Sequence, residues 1–322
     1  MDISSRSASD GRRPVRTVLG EIPYESLGIT DAHNHVWIDP IPGADPAAPV
    51  LDQYGKIIAE LKLYRAAGGG SLLDCQPGGC GRNANRLFEL SGASGVHIIA
   101  CTGFHRQKYY AAGHWLFTTS PEQATQYFSR ELTSALEETR DQPEPVRAGF
   151  IKIALESAWD GSFQPGLEAA AEAAHQTGSL VEIHTEKGGL AEKVAIYFED
   201  HALSPGQLVL CHMDKRPDPG LHVELARFGV LLEYDTFYRP KYEPEARLWT
   251  LIENMVEAGL SKHVALATDM AEAGMYKTIG DGPGLASLPT EIKMRLVKMG
   301  ISESSIQQML GGNIARRLAG LD

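Results

Sequence analysis

A single (β/α)8 barrel is the fold this sequence predicts, and three observations predict it. Eight short apolar runs recur along 322 residues. Most are rich in Ile, Val and Leu without polar alternation, the pattern of strands buried on both faces. A segment long enough for a helix follows each run, and strand–helix units in this number close into a barrel at this chain length. The runner-up is an open doubly wound sheet, but no GxGxxG follows the first run.

The runs are Leu27–His35, Ser71–Cys75, His97–Thr102, Phe150–Leu155, Leu180–His184, Leu208–His212, Val230–Tyr234 and Val264–Thr268. Between them, Leu51–Ala67 is apolar at helical spacing, and Gly68-Gly69-Gly70 stops it. Pro121–Thr139 opens with Ser120-Pro121-Glu122, a cap residue and then proline in the first turn. Gly166–Gln176 is rich in Ala and Glu and closes at Gly178, and Pro244–Ala258 ends at Gly259. No shift in composition marks a second domain. Residues 17–322 therefore read as one barrel, and residues 1–16, polar and rich in Ser and Arg, as an arm or the start of a surface strand. The longest Gly/Pro-rich loop, Ile279–Pro289, follows the last strand and so faces the mouth of the barrel.

A net charge of −11 argues against nucleic acid or an anionic membrane as partner. No stretch approaches the 18 or so uninterrupted apolar residues of a transmembrane helix. The first 16 residues lack the apolar core of a secretory signal. Cys75, Cys80, Cys101 and Cys211 match no metal-finger or CxxC spacing, and buried reduced thiols are the expectation. A cytoplasmic location follows from these features together.

Barrel enzymes place their chemistry where strands end at the C-terminal face. The first run ends in His33-Asn34-His35. Side chains alternate along a strand, so both imidazoles face one way and suit a single metal ion. The fourth run carries Lys152 alone among apolar neighbours. A lysine there is either ion-paired with a nearby carboxylate or desolvated toward a neutral amine, which forms a Schiff base or takes up CO2 as a carbamate. His184, His212 and Asp269 close the fifth, sixth and eighth runs. Four imidazoles with oxygen donors suit Zn2+, with Mn2+, Co2+ or Fe2+ as substitutes. Of the remaining histidines, only His105, just after the third run, belongs near such a site.

With these anchors, and with Gly149-Phe150-Ile151-Lys152, His212-Met213-Asp214 and Gly312-Asn313-Ile314-Ala315-Arg316, the chain resembles the phosphotriesterase family of the amidohydrolase superfamily. The resemblance implies a binuclear centre. His33, His35 and Asp269 hold the buried metal, His184 and His212 the outer one, and N6-carboxylated Lys152 with a hydroxide bridges them. Asp269 then shuttles the proton to the leaving group. Within the family, Cys211-His212-Met213-Asp214, Glu233-Tyr234-Asp235 and Lys241-Tyr242 look more like the sugar-lactonase branch, so a small-molecule lactone is the implied substrate. By the same resemblance Lys241 and Tyr276 stand where that branch holds a phosphate. The arginine expected beside Tyr276 is missing, and Glu272 stands in that segment instead, which would repel a phosphate dianion. Arg82, in the loop Gln76–Arg86, is a further candidate for a substrate carboxylate. The rival readings are an organophosphate hydrolase built on the same centre and a metal-free aldolase with Lys152 as Schiff base. A homodimer is common in the family. Tyr109, Tyr110, Trp115 and Phe117 suit either an interface or a cap over the pocket.

Overall fold

A computed structural model of the protein describes residues 13–321. Eight parallel strands form the barrel: β1 (Ile29–Asn34), β2 (Gly69–Asp74), β3 (His97–Gly103), β4 (Phe150–Ala154), β5 (Val181–His184), β6 (Leu208–Cys211), β7 (Leu231–Tyr234) and β8 (Val264–Leu266). Each pairs with its neighbour in sequence. The last gap, between β8 and β1, is closed by Asp269 N donating to His33 O at 3.0 Å. Side chains reinforce the seam. Asp31 accepts from Thr268 N at 3.1 Å and from Thr268 Oγ1 at 2.5 Å, and Asn34 Nδ2 donates to Asp31 and Thr268. Asn34 thus faces away from the histidines beside it and ties the barrel shut.

Each of the eight expected runs overlaps a barrel strand, and the expected helices form between them. Tyr54–Ala66, Pro121–Thr133, Gln164–Thr177 and Leu248–Glu257 lie within or close to the predicted segments. Ser120 and Gln123 make a reciprocal capping box at the start of the second of these, as the Ser-Pro opening implies. Most of the expected arm lies outside the described residues. Its last part is packed: Val15–Thr17 pairs antiparallel with Gly20–Ile22, and Arg13 reaches Thr177 O and Gly178 O. Among the described residues, no helix is long and apolar enough to cross a membrane. All four cysteines are buried and free.

The barrel interior explains where the site lies. Inward positions alternate along each strand. Leu73, Ile99, Phe150, Leu180, Val209, Leu231 and Ala265 fill the floor as one apolar cluster. Two residues further along the same faces stand Lys152 on β4, Glu182 on β5, Cys211 on β6 and Glu233 on β7. His184, Asp235 and Asp269 follow at the mouth. Each inward row therefore climbs from hydrocarbon to polar groups. At the β3–β4 pairing, Gly103 lies opposite Lys152 with φ +114°, and a Cβ there would meet Lys152 O at 1.9 Å. Only glycine lets the backbone pass so close to the lysine strand.

Candidate metal centre

Five side chains converge at the C-terminal mouth. Nε2 of His33 and Nε2 of His35 each lie 3.8 Å from Asp269 Oδ1, close enough for all three to reach one ion. Nδ1 of His184 and Nε2 of His212 face each other at 2.8 Å. The His33 and His212 rings are 5.0 Å apart, so the two groups are adjacent. His212 and Asp269 both hold left-handed backbone, φ 63° and 43°. Non-glycine residues rarely adopt it, and such strain gathers at functional sites.

Each imidazole but one has its outward nitrogen held. His35 Nδ1 meets Gln76 Oε1 at 2.8 Å, His212 Nδ1 meets Asp235, and His33 Nδ1 meets Glu182 and Glu233. His184 is the exception: its Nε2 is buried without a hydrogen-bond partner, 3.8 Å from Glu186. Burial, with His33 and Lys152 adding to it, pushes the pKa of His35 down to about 3 and that of His184 to about 4; burial, then Lys215 and His184, holds His212 well below 6.5. Neutral imidazole is the form that binds a metal. For His33, burial again opposes charge, but Glu233 and Glu182 outweigh it and carry the pKa up to about 10. Burial alone would raise Asp269, yet His212, His33 and Arg239 draw it well below the usual carboxylate range. The donor set of imidazoles and carboxylate suits a borderline divalent cation.

Lys152 is fully buried, with Nζ 3.2 Å from His33 Nε2 and 3.3 Å from Glu182 Oε1. Lys152 is thus ion-paired with Glu182.

The histidines and Asp269 open into a cavity of about 170 Å3. Ile38, Ile41, Ala48 and Pro49 form one wall, from the loop after β1, which sequence reasoning did not single out. His105 and Tyr109 form another, placing His105 near the site as expected.

The three expected substrate contacts lie elsewhere. Arg82 is 5% exposed and spends its guanidinium on Glu131, Glu138 and Cys101 O, outside this cavity. Lys241 is exposed, with Nζ 5.1 Å over the Tyr242 ring. Tyr276 is fully buried and donates its hydroxyl to His35 O at 2.5 Å, bracing the His35 backbone without reaching the cavity. The cavity's one Lys or Arg side chain, among the described residues, is Arg239. It lies two residues before Lys241 in the sequence. Of the aromatics after β3, Tyr110 is buried, whereas Trp115 is 45% exposed.

The sequence profile of the phosphotriesterase family matches residues 13–318. The chain belongs to the phosphotriesterase family. A phospho-furanose lactonase of Mycoplasmopsis synoviae is 30% identical to it, over 94% of this chain and 91% of that protein. Among solved structures, an amidohydrolase from Mycoplasma synoviae superposes with a TM-score of 0.88 at 28% identity, covering 98% of this chain and 93% of that one. A lactonase from Listeria monocytogenes gives a TM-score of 0.89, covering 96% and 100%; at 23% identity it speaks for the fold alone. This phosphotriesterase-family chain is a metal-dependent hydrolase acting on ester bonds, and the clustered histidines and carboxylates at the barrel mouth are candidate metal ligands.

Proposed function

We propose that this hydrolase opens a compact lactone that carries no phosphate. The observation that carries the reading is the candidate metal-ligand cluster at the base of a small cavity whose one Lys or Arg side chain among the described residues, Arg239, is already engaged by acids. His33, His35 and Asp269 would hold one divalent cation, most simply Zn2+, and His184 and His212 a second, with Lys152 as a carbamate between them. Two such ions supply a water acidic enough to deprotonate near neutral pH and a Lewis acid for the ester carbonyl.

The protein's own groups do the rest. Asp269 takes the proton of the attacking water and passes it to the ring oxygen as the acyl carbon–oxygen bond breaks, leaving a hydroxy acid. Arg239 holds Asp269 Oδ2 at 3.0 Å, which leaves Oδ1 turned toward the histidines. Ile38, Ile41, Tyr109 and His105 seat the ring and exclude bulk water.

Phosphate recognition is disfavoured on two counts. Lys241 stands outside the cavity, and Glu272, 3.9 Å from Arg239, places a carboxylate at its rim. The small cavity also disfavours a bulky phosphotriester, which leaves that activity as a weak side reaction. The aldolase reading is weaker still, because Lys152 lies behind His33 and lines no part of the cavity.

The test is a panel of neutral, carboxylated, sulfonated and phosphorylated sugar lactones with the metal-loaded enzyme. Turnover of five- and six-membered lactones without phosphate supports the reading. A preference of about 100-fold for the phosphorylated members, or no ring opening in the panel, overturns it.

A further inference from the structure

Beneath the candidate metal positions lies a deeper cluster that the proposed reaction does not use. Glu182 and Glu233 are fully buried inside the barrel, two residues below His184 and Asp235 on the same strand faces. Both reach one atom. His33 Nδ1 is 2.9 Å from Glu182 Oε1 and 3.1 Å from Glu233 Oε2. Glu182 Oε1 also accepts from Lys152 Nζ at 3.3 Å and from the thiols of Cys75 and Cys211 at 3.0 and 3.4 Å. One oxygen of each glutamate, Glu182 Oε2 and Glu233 Oε1, has no hydrogen-bond partner.

Two dry carboxylates are costly, and aliphatic side chains would close this layer as Leu180, Val209 and Leu231 close the layer below. What the carboxylates add is direction. An imidazole that binds a metal through Nε2 keeps a hydrogen on Nδ1, and an acceptor there fixes the ring and strengthens Nε2 as a donor. His33 has this geometry, with Nε2 toward Asp269 and Nδ1 toward the glutamates. The other rings are held by less: His35 by the neutral Gln76 and His212 by the single carboxylate of Asp235.

Resting on the metal centre proposed above, the geometry points to Glu182 and Glu233 as positioning residues for the ion shared by His33, His35 and Asp269. Glu182 also aims the Lys152 nitrogen, since an N–H remains on it for this oxygen whether it is an amine or a carbamate. His33, Glu182, Cys211 and Glu233 hold donor atoms within 4.8 Å of one another, the spacing of a cation site. Lys152, the thiols and His33 already supply donors to that spot, so the cluster is a brace for the centre and not a third metal position.

The experiment is Zn2+ binding to the metal-free protein by competition with a chromophoric chelator, in wild type, Glu182→Gln and Glu233→Gln. Both variants keep the side-chain shape. Glu233→Gln should weaken the tighter equivalent about 10–100-fold while the weaker one changes little; Glu182→Gln, which also loosens Lys152, should weaken the tighter equivalent by at least as much. Unchanged affinity for both equivalents in both variants overturns the inference, as does a third equivalent in wild type that the variants lose. Should Glu233→Gln fail to fold, Glu182→Gln tests the same nitrogen. A wild type that binds Zn2+ in the predicted manner yet opens no lactone defeats the lactonase reading and leaves the brace standing.

Discussion

Arg239 donates from Nη2 to Asp269 twice, to its carbonyl oxygen at 2.6 Å and to its carboxylate Oδ2 at 3.0 Å. A single guanidinium nitrogen therefore fixes both the backbone and the side chain of a residue whose φ of 43° is itself unfavourable.

Removing that hold should show in the pH–rate profile. Arg239 is one of the groups that lower the Asp269 pKa, and its loss raises it. A carboxylate acting as base loses activity as pH falls through its pKa, so the acid limb of Arg239→Met should move to higher pH. The rate at the plateau should fall about 10–100-fold, as for loss of a partner that orients a metal ligand. Steady-state kinetics from pH 4 to 9 checks both; an unmoved acid limb would remove Arg239 from Asp269 chemistry.

Asp269→Asn should keep the fold and lose turnover by at least about 100-fold, the usual scale for a missing acid–base group. Retained turnover would show that another group moves the proton.

Arg82 is expected to matter for stability alone. It donates to Glu131 at 2.5 and 2.9 Å and to Glu138 at 2.8 and 2.9 Å, and Glu131 is fully buried. Arg82→Ala strands that carboxylate, and urea denaturation should show a loss of about 3–5 kcal/mol. KM of the folded fraction should stay at the wild-type value; a selective rise for carboxylated lactones would return Arg82 to the substrate site.

His222 gives a pH effect remote from the centre. Its Nδ1 accepts from the Tyr234 hydroxyl at 2.7 Å and its Nε2 donates to Arg216 O at 3.0 Å, which satisfies the neutral ring. Burial lowers its pKa to about 4. Between about 6.5 and 4 the unfolded chain takes up a proton that the folded one refuses, so stability falls as pH drops through that window, by about 3 kcal/mol at most. His222→Gln should flatten this part of the stability–pH curve. An unchanged slope would mean the drop arises elsewhere.

The barrel was legible because its signal is local. Eight apolar runs and the helices between them are each written in consecutive residues, and a strand's two-residue period places His33 beside His35 without knowledge of any partner. The braces are not local. Nothing near Glu233 in sequence reveals that it meets His33, 200 positions away. Arg82 and Arg239 look alike in a sequence, and only packing shows that Glu131 claims the first while the second borders the cavity. Tyr276 follows Ala271 and Glu272, which line the cavity, but its hydroxyl turns inward to the His35 carbonyl.

If the clustered histidines and Asp269 drive a metal-dependent ring opening, catalysis depends on bound metal. The most direct measurement is titration of Zn2+ into the metal-free protein while lactone hydrolysis is followed. Turnover should be absent without metal and should rise to a plateau at about two equivalents. Full turnover by the metal-free protein would contradict that dependence.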